Sequence, residues 1–132
     1  MVCTREAQTG IAGALGVTPT EAVTPTWLDH RYACVYRYAD GEFTLSVEEL
    51  SDRATTDIYY SGLRQQLGGD ELGGVGESAF QAPSGTVVAR KDFKVLQVDT
   101  SQLPGRFGSP PAARAEIAVR VALLVMGCWE EH

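Results

Sequence analysis

Two short stretches of the chain set a cysteine and a histidine four residues apart: His30 with Cys34 in "HRYAC", and Cys128 with His132 in "CWEEH". Thiolate and imidazole are zinc ligands, and on a helix that spacing puts two of them on one face. On a strand, residues four apart are separated by roughly 13 Å and cannot share an ion. The residues around Cys34 alternate as a strand does, so no metal is expected. Histidine also suits general acid–base work near neutral pH, and His30 is the only one inside the chain. It comes with no nucleophile motif: G-x-S-x-G, H-E-x-x-H and S-x-x-K are all missing. Carboxylate neighbours such as Glu48 with Glu49, and Asp70 with Glu71, read as solvated pairs. No catalytic residue is assigned.

"GGVGESA" holds Gly74-x-Gly76-x-x-Ala79, the outline of a dinucleotide fingerprint. That motif needs a strand before it and a helix starting inside it, whereas here a helix precedes and a strand follows. No cofactor is expected.

The three cysteines are Cys3, Cys34 and Cys128. A Cys3–Cys34 bridge would close a loop of about 30 residues, worth about 3–4 kcal/mol in the chain-entropy account. Cys128 is an alternative partner for either, and three reduced, buried thiols are the cytosolic alternative. The residues alone leave the pairing open.

Periodicity supplies the elements that must position these groups. A first helix is expected over Thr4–Leu15, where Ala7, Ile11 and Leu15 recur every four residues and Gly16 follows. "VTPTEAVTPTW" reads as a stiff, extended connection. In "YACVYRYADGEFTLSVEEL", Asp40-Gly41 is expected to be a two-residue hairpin turn. Tyr38 then faces Phe43, Tyr36 faces Leu45 and Cys34 faces Val47, all on one apolar side. Tyr32, Tyr36, Tyr38 and Phe43 form an aromatic row that is either core or the lining of a pocket between sheet and helix. Tyrosine hydroxyls need partners when buried, so a pocket would show as a cavity. A second helix is expected over Asp52–Leu67. Strands follow at Glu77–Ala82, Thr86–Arg90 and Phe93–Thr100. A last helix, with Ser109 as N-cap and Pro110 in its first turn, should run to about Trp129 and pack through Ala115, Ala118, Ala122, Met126 and Trp129. The expected fold is one α+β domain over residues 1–132, ordered α-β-β-α-β-β-β-α, with an antiparallel sheet of about five strands and helices packed on one face.

A net charge of −6 opposes phosphate backbones and anionic lipid, so nucleic acid is not an expected partner. The longest apolar run, Val121–Met126, is too short to span a bilayer. All basic residues except Lys91 and Lys94 are arginine, a usage associated with GC-rich genomes.

A cysteine opening the first helix, Leu15-Gly16 ending it, Cys34-x-Tyr36 in the first strand and Gly74-Val75-Gly76-Glu77-Ser78-Ala79 before the third give the chain a resemblance to small actinobacterial secreted and lipoprotein domains. The resemblance implies a domain outside the membrane, behind a lipidated or cleaved N-terminus, with the first two cysteines paired. Cys128 departs from that pattern. Under this resemblance Cys3 is a structural half-cystine near the start of a trimmed extracytoplasmic domain. It is not the lipidated residue, because "MV" does not complete a lipobox. The expected function is non-enzymatic: binding of a partner protein, an envelope component or a small ligand. The alternatives are a cytoplasmic location and a small enzyme using His30 or a carboxylate. A deep polar cleft beside His30 would favour the enzyme, and a filled core with an exposed apolar patch would favour the binding domain.

Overall fold

The computed structural model describes residues 5–130, with side chains as far as 127. α1 (Arg5–Leu15) buries Ala7, Ile11 and Leu15, one residue per turn on one stripe. Gly16 ends it with a φ of 72°, and a Cβ there would come within 2.0 Å of the Ser109 carbonyl oxygen. Only glycine satisfies both conditions.

Three strands follow: β1 (Thr26–Leu28), β2 (Arg31–Tyr38) and β3 (Gly41–Glu49). α2 (Arg53–Leu67) starts at the N-cap Asp52, whose carboxylate accepts from the Thr55 N–H at 2.8 Å. Then come β4 (Asp70–Leu72), β5 (Ser78–Gln81), β6 (Val87–Lys91) and β7 (Lys94–Asp99). A small hairpin, β8 (Arg106–Phe107) with β9 (Ala112–Ala113), precedes α3 (Arg114–Glu130). The seven longer-range strands form one antiparallel sheet in the order β1-β2-β3-β7-β6-β5-β4.

The fold is α+β and antiparallel, and it departs from the sequence reading in several places. The sheet has seven strands, not about five. β1 lies in the segment read as a connection; it follows Pro25, is three residues long and is exposed throughout, so it shows no alternation. β4 lies in the segment read as a glycine-rich loop, and its Asp70-Glu71 opening has little strand propensity. The last helix begins at Arg114 rather than Pro110, because residues 106–113 fold back as the β8–β9 hairpin.

The helices also occupy both faces of the sheet. α1 and α3 pack together over one face, in a cluster with Tyr36, Phe43, Leu45, Leu96 and Val98. α2 lies on the other, where Tyr60 meets Phe80, Val88 and Val95. The reason is visible in β6: Val87, Val88 and Ala89 are all fully buried, so successive side chains are covered on opposite sides.

The β2–β3 hairpin turns at Ala39-Asp40, one residue earlier than expected. Tyr38 therefore faces Gly41, Tyr36 faces Phe43, Cys34 faces Leu45 and Tyr32 faces Val47. The partners shift by two residues, which leaves every side chain on its expected face. Gly41 is needed for a different reason. Its φ is not positive, but a Cβ there would lie 2.6 Å from the Gln102 carbonyl oxygen, where the loop after β7 crosses the hairpin.

Candidate functional site

At the exposed end of the sheet, β1 and β2 are joined by Asp29-His30, with φ of 50° and 64°. Two successive left-handed residues make the tight turn whose twist matches a hairpin. This turn lifts His30 to the tip and pairs Trp27 with Tyr32, and Leu28 with Arg31. The Trp27 ring meets Tyr32 at 6.1 Å and the His30 imidazole edge-on at 6.2 Å. Trp27 is 54% exposed and Leu28 72%, on opposite sides of the sheet's edge strand.

Beneath the hairpin, on the α2 side, lies a depression of about 470 Å³ bordered by Asp29, His30, Glu48, Glu49 and Thr55. A second, of about 310 Å³, is bordered by Leu28, Arg31, Ala33 and again Asp29 and Glu48. The shared residues make the two one groove. The backbone tie between Glu49 N–H and the His30 carbonyl, at 2.8 Å, fixes the turn against β3. Arg31 donates to Ser46 Oγ at 3.1 Å. Tyr59 of α2 lies near both Arg31 and Glu48; burial raises its pKa, the Arg31 charge and a hydrogen bond to Arg31 oppose that, and Glu48 adds to it. The Glu48 Oε2 atom is closed off from solvent and accepts no hydrogen bond.

A second polar depression, of about 440 Å³, lies near the start of α2 and contains Arg53, Asp57, Glu77 and Arg90. Arg90, Asp57 and Glu77 are already engaged. Arg90 pairs with Asp57 and lies over the Tyr60 ring, and Glu77 accepts from the Asp92 N–H at 2.6 Å.

The residues singled out from sequence fall in different places. Among the described residues no carboxylate is hydrogen-bonded to the His30 ring, whose contact is with Trp27. Tyr36 and Phe43 are fully buried and stacked at 4.8 Å, and burial pushes the Tyr36 phenol up to about 12. Tyr32 is half-buried beside Trp27. Tyr38 packs edge-on against Phe107 at 4.8 Å and borders a pocket of about 250 Å³ with Val17, Thr18 and Thr20. Its hydroxyl is buried without a partner, and burial raises its pKa strongly. Cys34 is 2% exposed in the core that α1 and α3 seal, and it is not a free titrating thiol. Cys3 lies outside the described residues.

Among the described residues, no group of three or more His, Cys, Asp or Glu is placed to hold a metal ion. Likewise, no helix there is long and apolar enough to cross a membrane. Trp27, Leu28 and Asp29 carried no chemical motif in the sequence. The signal that could have found them is Asp29-His30 between two short runs of strand-forming residues, a turn written without glycine. No protein-family model, curated protein or solved structure matches the chain.

Proposed function

We propose that this chain is a non-enzymatic, extracytoplasmic binding domain that docks a partner through the β1–β2 hairpin and the groove beneath it. The observation that carries the reading is the pairing of a filled core with Trp27 and Leu28, two large apolar side chains held in the open on the edge strand. Aromatic side chains presented by a rigid turn are the usual anchors of interfaces. The groove beside His30 is the observation on the enzyme's side. It supplies carboxylates near an imidazole, but none of them orients the ring, as a general base requires.

The extracytoplasmic placement draws support from Cys34, which is buried and is not a free titrating thiol. We propose Cys3 as its partner. Peptide mapping without reductant should recover that pair, and three alkylatable thiols in oxidised protein would remove both the bridge and the compartment.

Docking is tested with a photo-crosslinking residue at Leu28, expressed in the cell that makes the protein. A discrete adduct is expected there and not from the same residue at Gln66, an exposed position near the end of α2. Equal labelling at both positions, or none at Leu28, would sink the docking reading. A folded His30→Ala protein that loses the gene's phenotype while its Leu28 adduct persists would hand the site to the enzyme alternative.

A further inference from the structure

We infer that Thr18 and Thr24 are acceptors for O-linked glycosylation with a neutral sugar; this rests on the extracytoplasmic placement proposed above. They open the Thr-Pro pairs of "VTPTEAVTPTW", in which Val-Thr-Pro-Thr occurs twice, six residues apart. The two copies are held to the fold in the same way. Val17 and Val23 are half-buried against the core that α1 and α3 cover. Thr20 Oγ1 donates to the Arg37 carbonyl and Thr26 Oγ1 to the Ala33 carbonyl, each at 3.3 Å, along the same strand β2. The valine and the second threonine thus anchor each copy. Between them Thr18 and Thr24 are exposed, and among the described residues neither hydroxyl has a hydrogen-bond partner.

A transferase needs a free hydroxyl on a chain that fits an extended cleft. Residues 17–25 lie outside every helix and strand, and the proline that follows keeps Thr18 and Thr24 extended. Exposed threonine punctuated by proline is also the composition of O-glycosylated segments. Ser109, the other hydroxyl residue before a proline, makes the contrast. Its N–H donates to the Leu15 carbonyl at 2.8 Å and its own carbonyl lies against Gly16, so the chain there cannot be lifted into an active site. In the transfer, threonine Oγ1 bonds to the anomeric carbon of a phosphate-activated sugar. The bond from that carbon to phosphate breaks, and the hydroxyl proton passes to a base of the transferase. Phosphorylation is the competing use of a Thr-Pro pair. It would add negative charge beside Asp40 at Thr18, in a chain of net charge −6, while Arg37 is already paired with Glu21 and Glu42. A neutral sugar brings no such repulsion.

The test is mass spectrometry of the protein purified from the cell that makes it. Trypsin releases residues 6–31 as one peptide, which holds Thr9, Thr18, Thr20, Thr24 and Thr26. Electron-transfer fragmentation, which leaves sugars attached, should place a hexose or an N-acetylhexosamine on Thr18 and on Thr24. Thr9, exposed but helical in α1, and Ser109 should be bare. Thr24→Ala should remove one sugar and leave the one on Thr18. A bare peptide, a phosphate in place of the sugar, or sugars spread equally over Thr9, Thr20 and Thr26 would each overturn the inference. The same digest made without reductant reports the pairing of Cys3 with Cys34. That pair recovered beside a bare peptide would overturn glycosylation and leave the compartment standing, whereas three free thiols beside a bare peptide would overturn both.

Discussion

The two faces of the sheet are made by the same strands but covered by different numbers of helices. On one, α1 and α3 lie side by side, and apolar residues run unbroken from Cys34 in β2 to Ala79 in β5. On the other, α2 lies alone over Phe80, Val88 and Val95. A helix is about 10 Å across and strands are about 4.8 Å apart, so one helix covers two or three strands and two cover most of a seven-strand sheet. The remainder of the α2 face, over β1–β3, must be finished with Arg31, Ser46 and Glu48 in place of apolar residues. That shortfall of one helix is what makes the groove.

The largest expected effect comes from the sealed face. Phe43→Ala should cost about 3–5 kcal/mol by urea denaturation, because its stacked neighbours Tyr36 and Tyr38 cannot collapse into the space. Val35→Ala, half-buried on the open face of the adjacent strand, should cost about 1 kcal/mol or less. Similar losses would mean that the faces are covered alike.

Gly41→Val should cost about 1–3 kcal/mol, since the new side chain drives into the Gln102 carbonyl oxygen. Gly41→Asn separates the two explanations for this glycine. Asparagine would relieve a demand for positive φ, but it cannot relieve a close approach. A wild-type midpoint for the Asn variant would mean that the loop does not require glycine there.

Tyr38→Phe tests whether the sealed face is fully satisfied. Removing a buried hydroxyl that has no partner should raise stability by up to about 1 kcal/mol in the same assay. A loss would reveal a hydrogen bond that this reading of the face does not contain.

The smallest effect is one of pH and concerns the lone helix. The hydrogen bond from the Thr55 backbone N–H lowers the Asp52 pKa. A depressed carboxylate stabilises the fold above its unfolded value, near 3.9, and that contribution fades as pH falls through the lower folded value. Asp52→Asn caps without titrating. It should match wild type at pH 7 and lose less on acidification below about pH 4, followed by thermal midpoint. Parallel curves would mean that Asp52 does not hold the start of α2.

What the sequence disclosed follows from how strongly each residue's surroundings constrain it. The face of every residue from Cys34 to Val47 was legible, because alternation survives a two-residue slip in register. The slip itself was not, because a glycine after aspartate reads as a turn, and its real demand comes from Gln102, distant along the chain. The second helical face was written in Ala79-Phe80, Val87-Val88-Ala89 and Val95-Leu96, pairs of adjacent apolar residues that a one-sided sheet has no use for. β1 and β4 stayed hidden because short edge strands carry neither alternation nor strong propensity. The groove was the least legible feature. Glu48 looks like any solvated carboxylate until the tertiary fold closes over one of its oxygens.

The contact between α1 and α3 has a consequence for the order of events in folding. These are the first and last of the described elements, and the sheet's central pairing, β3 with β7, joins its two halves. Neither the sealed face nor the middle of the sheet can be finished while the C-terminal third is missing. A nascent chain emerging N-terminus first therefore has its first helix ready long before the helix that pairs with it exists. It must stay open until α3 has been made, and then close through contacts between residues far apart in sequence, the slow class of topology. A chain that stays open this long is one that other machinery can still handle in extended form.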